Sequence, residues 1–305
     1  MRYRWPCLLA LALIACGDDS ASEDMGPAPV DMPAVDMAPG PPSRLGPEDR
    51  EARVHLPRDY DATGSYPLVI VLHGSGTSGI IEAAYFGIPG LARETGFVAL
   101  AAEGFTDSER RQNWNATDAC CDHDDSGSDD VAYLTGLIDE SVEALAVDPA
   151  RVYLLGHSTG GFMAYRMACD ASEKITAIAT LNGATWNDPA NCGEPAEPTS
   201  VLQFHGTEDD AVLYEGGLIR GNPYPGARES VTRFADRASC TGPETIEPFD
   251  LDASIDGAET VREEWQGCAE GRSYALWTIE GGAHTPTFTD DAIPAVLDWL
   301  FAHSE

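Results

Sequence analysis

Gly156-His157-Ser158-Thr159-Gly160 places a serine between two glycines, after the apolar run Val152 to Leu155 and just ahead of a helical pattern that begins near Gly161. A strand that turns this abruptly into a helix forces strained dihedrals on the serine. The flanking glycines leave room for its hydroxyl to stand clear at the helix N-terminus. Such a hydroxyl can attack a carbonyl carbon. It is a weak nucleophile near neutral pH, so it needs a base, and the base needs a carboxylate to orient it.

In a strand-turn-helix setting of this kind the acid and then the histidine follow the serine along the chain. Three histidines lie downstream: His205 at a strand end, His284 in Gly281-Gly282-Ala283-His284-Thr285-Pro286, and His303 in the tail. His284 sits between the last apolar run and the last helical pattern, the loop position a base requires. The acid should follow the run ending at Phe204, which leaves Glu208, Asp209 and Asp210, and spacing does not choose among them. A tetrahedral intermediate also needs donors aimed at its oxyanion. The backbone N–H of Thr159 is one candidate, and that of Ser75, in His73-Gly74-Ser75-Gly76, is the other. Because the base must be neutral, activity should fall on acidification through about pH 6 to 7.

These residues have to be held by a sheet. Pro67 to Leu72 is a continuous apolar run stopped by His73-Gly74, the pattern of a strand buried on both faces. Similar runs occur at Phe97 to Ala101, Arg151 to Leu155, Ile175 to Leu181, Val201 to Phe204 and Tyr274 to Ile279. Between them, Val131 to Leu145, Phe162 to Cys169, Val231 to Ala238 and Ala292 to Phe301 repeat apolar residues at three and four. Strand alternating with helix predicts a mostly parallel central sheet with helices on both faces.

The chain carries a formal charge of −33, with Lys174 its single lysine, which disfavours nucleic acid and anionic membrane as partners. Arg2 and Arg4 precede a short apolar run from Leu8 to Ala15, the pattern of an export signal too short to span a bilayer. Leu13-Ile14-Ala15-Cys16 resembles a bacterial lipobox, with Cys16 the lipidated residue; plain cleavage by a secretory peptidase is the other reading. The expected organisation is a signal over 1–16, an extended Pro- and Asp-rich tether over 17–50 and a catalytic domain over 51–305. The protein would then be secreted, or attached to a bacterial membrane only through a lipid anchor. With Cys7 and Cys16 in the signal, six cysteines remain: Cys120, Cys121, Cys169, Cys192, Cys240 and Cys268. An even number in an exported chain favours disulfides, and zinc spacing is missing.

From about Arg53 to the C-terminus the chain resembles the exported polyhydroxybutyrate depolymerase and feruloyl esterase family of α/β-hydrolases. The resemblance is carried by Pro67 to Gly74, Trp114-Asn115, Asp129-Asp130-Val131-Ala132-Tyr133, Gly156 to Gly161 with Met163-Ala164-Tyr165-Arg166, His205-Gly206-Thr207-Glu208-Asp209, and Gly281-Gly282-Ala283-His284. It implies an α/β-hydrolase fold, no cofactor, and Asp209 as the acid. It also implies pairing of Cys169 with Cys192 and of Cys240 with Cys268, leaving Cys120 and Cys121 to form a vicinal bridge or stay reduced. Where relatives often show Thr-Trp-Pro after the histidine, this chain has Thr285-Pro286-Thr287, which alters the substrate pocket.

Ser158 as nucleophile, His284 as base and Asp209 as acid make an ester hydrolase the leading expectation. Its substrates would be phenolic or acetyl esters, free or linked to polysaccharide. A 3-hydroxybutyrate oligomer depolymerase is the alternative, with a tethered binding protein and a peptidase further off. Trp114 and His157 are the candidate substrate contacts, with Trp114 equally readable as a tryptophan that packs under the loop. The acidic loop Asp122 to Asp130 partly fits a calcium loop, but Tyr133 stands where the closing glutamate belongs, so a solvated loop with Asp129 or Asp130 capping the next helix is favoured, and no metal is expected. Tyr214 to Arg228, rich in glycine and proline, is the expected mobile loop.

Overall fold

The computed structural model describes residues 40–193 and 198–303, apart from the side chain of Glu270. The candidate export signal, Cys16 and most of the proposed tether lie outside the described residues.

In chain order the strands are β1 (Arg44–Leu45), β2 (Ala52–His55), β3 (Tyr66–Leu72), β4 (Val98–Ala102), β5 (Phe105–Thr106), β6 (Gln112–Asn113), β7 (Val147–His157), β8 (Ala177–Leu181), β9 (Ser200–Gly206), β10 (Gly216–Ile219), β11 (Asn222–Pro225), β12 (Thr241–Phe249), β13 (Thr260–Gln266) and β14 (Tyr274–Ile279). The helices are α1 (Gly79–Tyr85), α2 (Ile88–Thr95), α3 (Asp130–Ala144), α4 (Thr159–Asp170), α5 (Ala227–Arg237) and α6 (Ala292–Phe301). Ten strands form one sheet in the order β1-β2-β4-β3-β7-β8-β9-β14-β13-β12. Its centre, from β4 to β14, is parallel. Two antiparallel strands flank it on each side.

Strand β3 shows why the centre reads as unbroken apolar sequence. Leu68, Ile70 and Leu72 join one core with side chains of α3, α4 and α5, while Val69 and Val71 join a second core with α1, α2 and α6. All five are fully buried. Each contributes about 1.5–3 kcal/mol relative to exposure, so a charged replacement at any of them should unfold the domain.

The flanking strands β12 and β13 escape a reading based on apolar runs. Most of their side chains are exposed or half-buried, and Pro243 and Pro248 sit in the outermost strand, where a missing N–H is tolerated. The short helices α1 and α2 were likewise not expected. The tether boundary moves as well: the compact unit begins at Pro41 rather than at residue 51. Leu45 is buried beside β2, and Arg50 Nη1 lies 2.6 Å from the buried carboxylate of Asp130 with its guanidinium over the Tyr133 ring.

Candidate active site

The sharp turn after β7 is imposed by packing. Ser158 has φ 54° and ψ −119° and leads directly into α4. A side chain at Gly160 would put its Cβ 2.1 Å from the Leu72 carbonyl oxygen, and one at Gly156 would meet the Gly160 oxygen at 2.3 Å. Only glycine lets β7, α4 and the end of β3 approach this closely. The Ser158 N–H donates to Leu181 O at 2.9 Å, which ties the strained residue to β8.

His284 is placed by the loop after β14 and Asp209 by the loop after β9. The Nδ1–H of His284 donates to Asp209 Oδ2 at 2.8 Å, which leaves Nε2 free to accept a proton. Asp209 is buried, whereas Glu208 and Asp210 are exposed. Its Oδ1 also accepts the N–H groups of Ala211 (2.8 Å) and Val212 (2.9 Å). Burial opposes its charge, yet the contacts from His205, His284 and Val212 prevail and hold the carboxyl well below the usual carboxylate range. His205 has both ring nitrogens engaged: Nε2–H donates to Val212 O at 2.8 Å, and Nδ1 accepts from Gln203 Nε2 at 3.0 Å. It therefore buttresses Asp209, 3.5 Å away, rather than serving as a base.

Thr159 is the first residue of α4, so its N–H has no intrahelical acceptor. Among the described residues the Ser75 N–H also lacks a backbone acceptor, and both residues border one cavity with Ser158. The loop carrying Ser75 is pinned by a residue not identified from sequence. Glu82 of α1, 3 % exposed, accepts the Gly74 N–H through Oε2 at 3.2 Å and meets His157 Nδ1 through Oε1 at 2.9 Å. His157 Nε2 in turn lies 3.0 Å from the His284 carbonyl oxygen, which also accepts from Asn182 Nδ2 at 2.7 Å. Both ring nitrogens of His157 thus face oxygens, Glu82 Oε1 on one side and the His284 carbonyl on the other. A glutamate in a predominantly small and apolar stretch, Gly79-Ile80-Ile81-Glu82-Ala83-Ala84, was the only available sequence signal for it.

Two cavities meet at Ser158. One, of about 500 Å3, is bordered by Ile81, Tyr85, His157 and His284. The other, of about 230 Å3, is bordered by Thr159, Phe162, Ile219 and Arg220. Ser75 and Ala211 belong to both. The Ser75 and Thr159 N–H groups, Ser158 and the Asp209-paired His284 thus converge on a site open in two directions, an arrangement that could carry acyl transfer from an ester.

Trp114 does not line either cavity. It is fully buried, and its Nε1–H donates to His73 O at 2.9 Å, so it supports the Ser75 loop from beneath. His157 borders the site but its ring nitrogens are committed to Glu82 and His284. Tyr214 to Arg228 is not a loose loop either: it contains the β10–β11 hairpin, packed through Tyr224 against Phe162. In the acidic loop, Asp129 Oδ1 caps α3 through the Ala132 N–H. The Asp122 carboxylate accepts from Ser126 and Gly127, that of Asp124 from Ser108, and Asp130 pairs with Arg50. Among the described residues no group of three or more His, Cys, Asp or Glu is arranged to hold a metal. Disulfides join Cys120 to Cys121, Cys169 to Cys192 and Cys240 to Cys268.

Residues 69–299 match the model of the Alpha/beta hydrolase family. The chain is 32% identical over 180 residues to feruloyl esterase B of Piromyces equi, covering 57% of this chain but only 31% of that protein. It is 24% identical over 255 residues to feruloyl esterase D of Neurospora crassa, covering 80% and 76%. Among solved structures, an acetyl xylan esterase from Aspergillus awamori superposes with a TM-score of 0.58 at 14% identity, covering 85% of this chain and 98% of that one. The Bacillus cereus carboxylesterase gives 0.52 at 12% identity, covering 83% and 94%. At these identities the structural likeness speaks to fold.

Proposed function

Because the chain belongs to the alpha/beta hydrolase family, we propose that it hydrolyses carboxylic esters, with Ser158 as nucleophile, His284 as base and Asp209 as the orienting acid. The observation that carries this reading is the 2.8 Å contact from His284 Nδ1 to Asp209, made beside a strained serine that shares a cavity with His284. Ser158 Oγ attacks the carbonyl carbon and its proton passes to His284 Nε2. The oxyanion is received by the Ser75 and Thr159 N–H groups. The proton then goes to the departing alcohol, and water, activated by the same histidine, releases the acid from Ser158.

The substrate class is a feruloyl-type ester, a phenolic or acetyl group on a sugar or small alcohol. Support comes from the feruloyl esterases among the relatives. The protein is read as exported, which suits its three disulfides.

The test is hydrolysis of methyl ferulate, a nitrophenyl acetate, a 3-hydroxybutyrate trimer and a peptide nitroanilide. Cleavage of the first two and not the peptide is expected. Preference for the trimer would move the assignment to polyester oligomers, and inertness on every ester would remove the enzymatic reading.

A further inference from the structure

The smaller cavity at Ser158 contrasts with the molecule around it. In a chain of formal charge −33, its border contains Arg111, His123 and Arg220 and no carboxylate. Arg111 is already neutralised, with Nη2 3.1 Å from Asp107 and 3.0 Å from Glu109. Among the described residues the Arg220 side chain makes no hydrogen bond or ion pair; it lies near Asp124, whose carboxylate is occupied by the Ser108 N–H, and it also borders a neighbouring cavity with Asp118, Asp122 and Asp125.

Arg220 is also in the wrong place for turn chemistry. With Gly221 it forms the two-residue turn between β10 and β11, where Ile219 pairs with Asn222. Both turn residues have positive φ, 49° at Arg220 and 92° at Gly221. A turn of this hand favours asparagine followed by glycine, so an arginine at the first position works against the hairpin. Packing does not require it, since the side chain is exposed. What it gains is a place on the border of the smaller cavity at Ser158.

The side of the ester facing Arg220 follows from the chemistry. His284 must hand its proton to the departing alkoxide, so the alcohol lies in the larger cavity, which His284 borders. The acyl group, still bound to Ser158, extends into the smaller cavity, which Thr159 and Arg220 border. We propose that Arg220 is a specificity residue that receives a carboxylate at the far end of the acyl group. The proposal rests on the ester-hydrolase reading.

The test compares nitrophenyl esters of glutaric, adipic and pimelic acid, each with one free carboxylate, against neutral nitrophenyl esters of the same chain lengths, corrected for buffer hydrolysis. Wild type, Arg220→Asn, Arg220→Lys and Ser158→Ala are assayed. Asparagine suits the turn, so loss of fold does not confuse the result, and the melting temperature should not fall. At the chain length that reaches Arg220, the ratio of kcat/KM for the carboxylate ester to that for its neutral match should drop about tenfold in Arg220→Asn and less in Arg220→Lys. The wild-type ratio should shrink with added salt. An unchanged ratio at every length, or equal loss on both members of each pair, overturns the proposal. If wild type cleaves none of the esters, or Ser158→Ala cleaves them equally well, the ester-hydrolase reading fails and the proposal with it.

Discussion

The ring of His157 holds the backbone of His284: its Nε2 lies 3.0 Å from the His284 carbonyl oxygen, while Glu82 grips the opposite nitrogen at 2.9 Å. His157 thus couples the loop of His284 to the loop carrying Ser75, through a carboxylate that also accepts the Gly74 N–H.

Loss of that coupling should appear in turnover rather than in binding. Glu82→Ala is expected to lower kcat by about 10- to 100-fold, the scale of a small misplacement of reacting groups, with KM changing much less. Glu82→Gln, which keeps one hydrogen bond, should lose less. Steady-state kinetics with thermal melts on the same samples separate this from unfolding. A matched rise in KM with unchanged kcat would instead make Glu82 a substrate contact.

Asp209 is ionised far below neutrality, so it is not the group whose protonation stops activity on acidification. Asp209→Asn should lower kcat by about a thousandfold or more, because the amide favours the wrong tautomer of His284. Since folding depresses the Asp209 pKa, its carboxylate stabilises the native state above about pH 3.9, the unfolded value. That contribution is lost as pH falls through the lower folded value. Denaturation of wild type and Asp209→Asn at several pH values should show curves that converge in strong acid. A constant gap down to pH 2 would contradict this.

His73 also lowers stability on acidification, over a higher pH window. Its Nδ1–H donates to Gly74 O at 2.7 Å, and its Nε2 accepts the Gly104 N–H at 2.8 Å. Burial pushes its pKa down from 6.5 to about 4. The unfolded chain therefore binds the extra proton between those values, and stability should fall by up to about 3 kcal/mol from pH 6.5 to pH 4. Denaturation midpoints across that range should be flatter in His73→Gln. In wild type the His73 ring resonances should stay unshifted above pH 5, and a midpoint near 6.5 would refute the assignment.

The Cys169–Cys192 bridge spans 23 residues and fastens the end of α4 to the loop after β8. Replacing both cysteines by alanine should cost about 3 kcal/mol in a reversible denaturation, with kcat largely kept because the bridge lies outside the Ser158 loop. No change in midpoint would mean that the loop is held by other contacts, such as that from Arg237 to Cys192 O.

The parallel centre of the sheet was legible because burial on both faces demands unbroken apolar runs, and Tyr274 to Ile279 and Ala292 to Phe301 match the observed elements residue for residue. Strands β12 and β13 were not legible, because half-exposed edge strands such as Thr241–Phe249 carry no such run. At the site, the turn at Ser158 and the loop position of His284 could be read from glycine spacing and order. The choice of Asp209 over Glu208 and Asp210 could not, since it depends on which carboxylate the fold buries. Glu82 and Asn182 were invisible for the same reason: each acts through a backbone group distant in sequence. Trp114 stayed open between cleft and core because a large aromatic near a site reads alike in either place, and the structure puts it in the core.

Covalent labelling of Ser158 tests the central claim most directly. Wild type treated with an aryl fluorophosphonate should gain one equivalent, located by peptide mass on Ser158, and lose esterase activity in proportion. His284→Ala and Asp209→Asn should label at least a hundredfold more slowly, and Ser158→Ala should neither label nor hydrolyse esters. Labelling at another residue, or ester hydrolysis that survives in Ser158→Ala, would contradict the assignment of Ser158, His284 and Asp209 as the reacting group, its base and its acid.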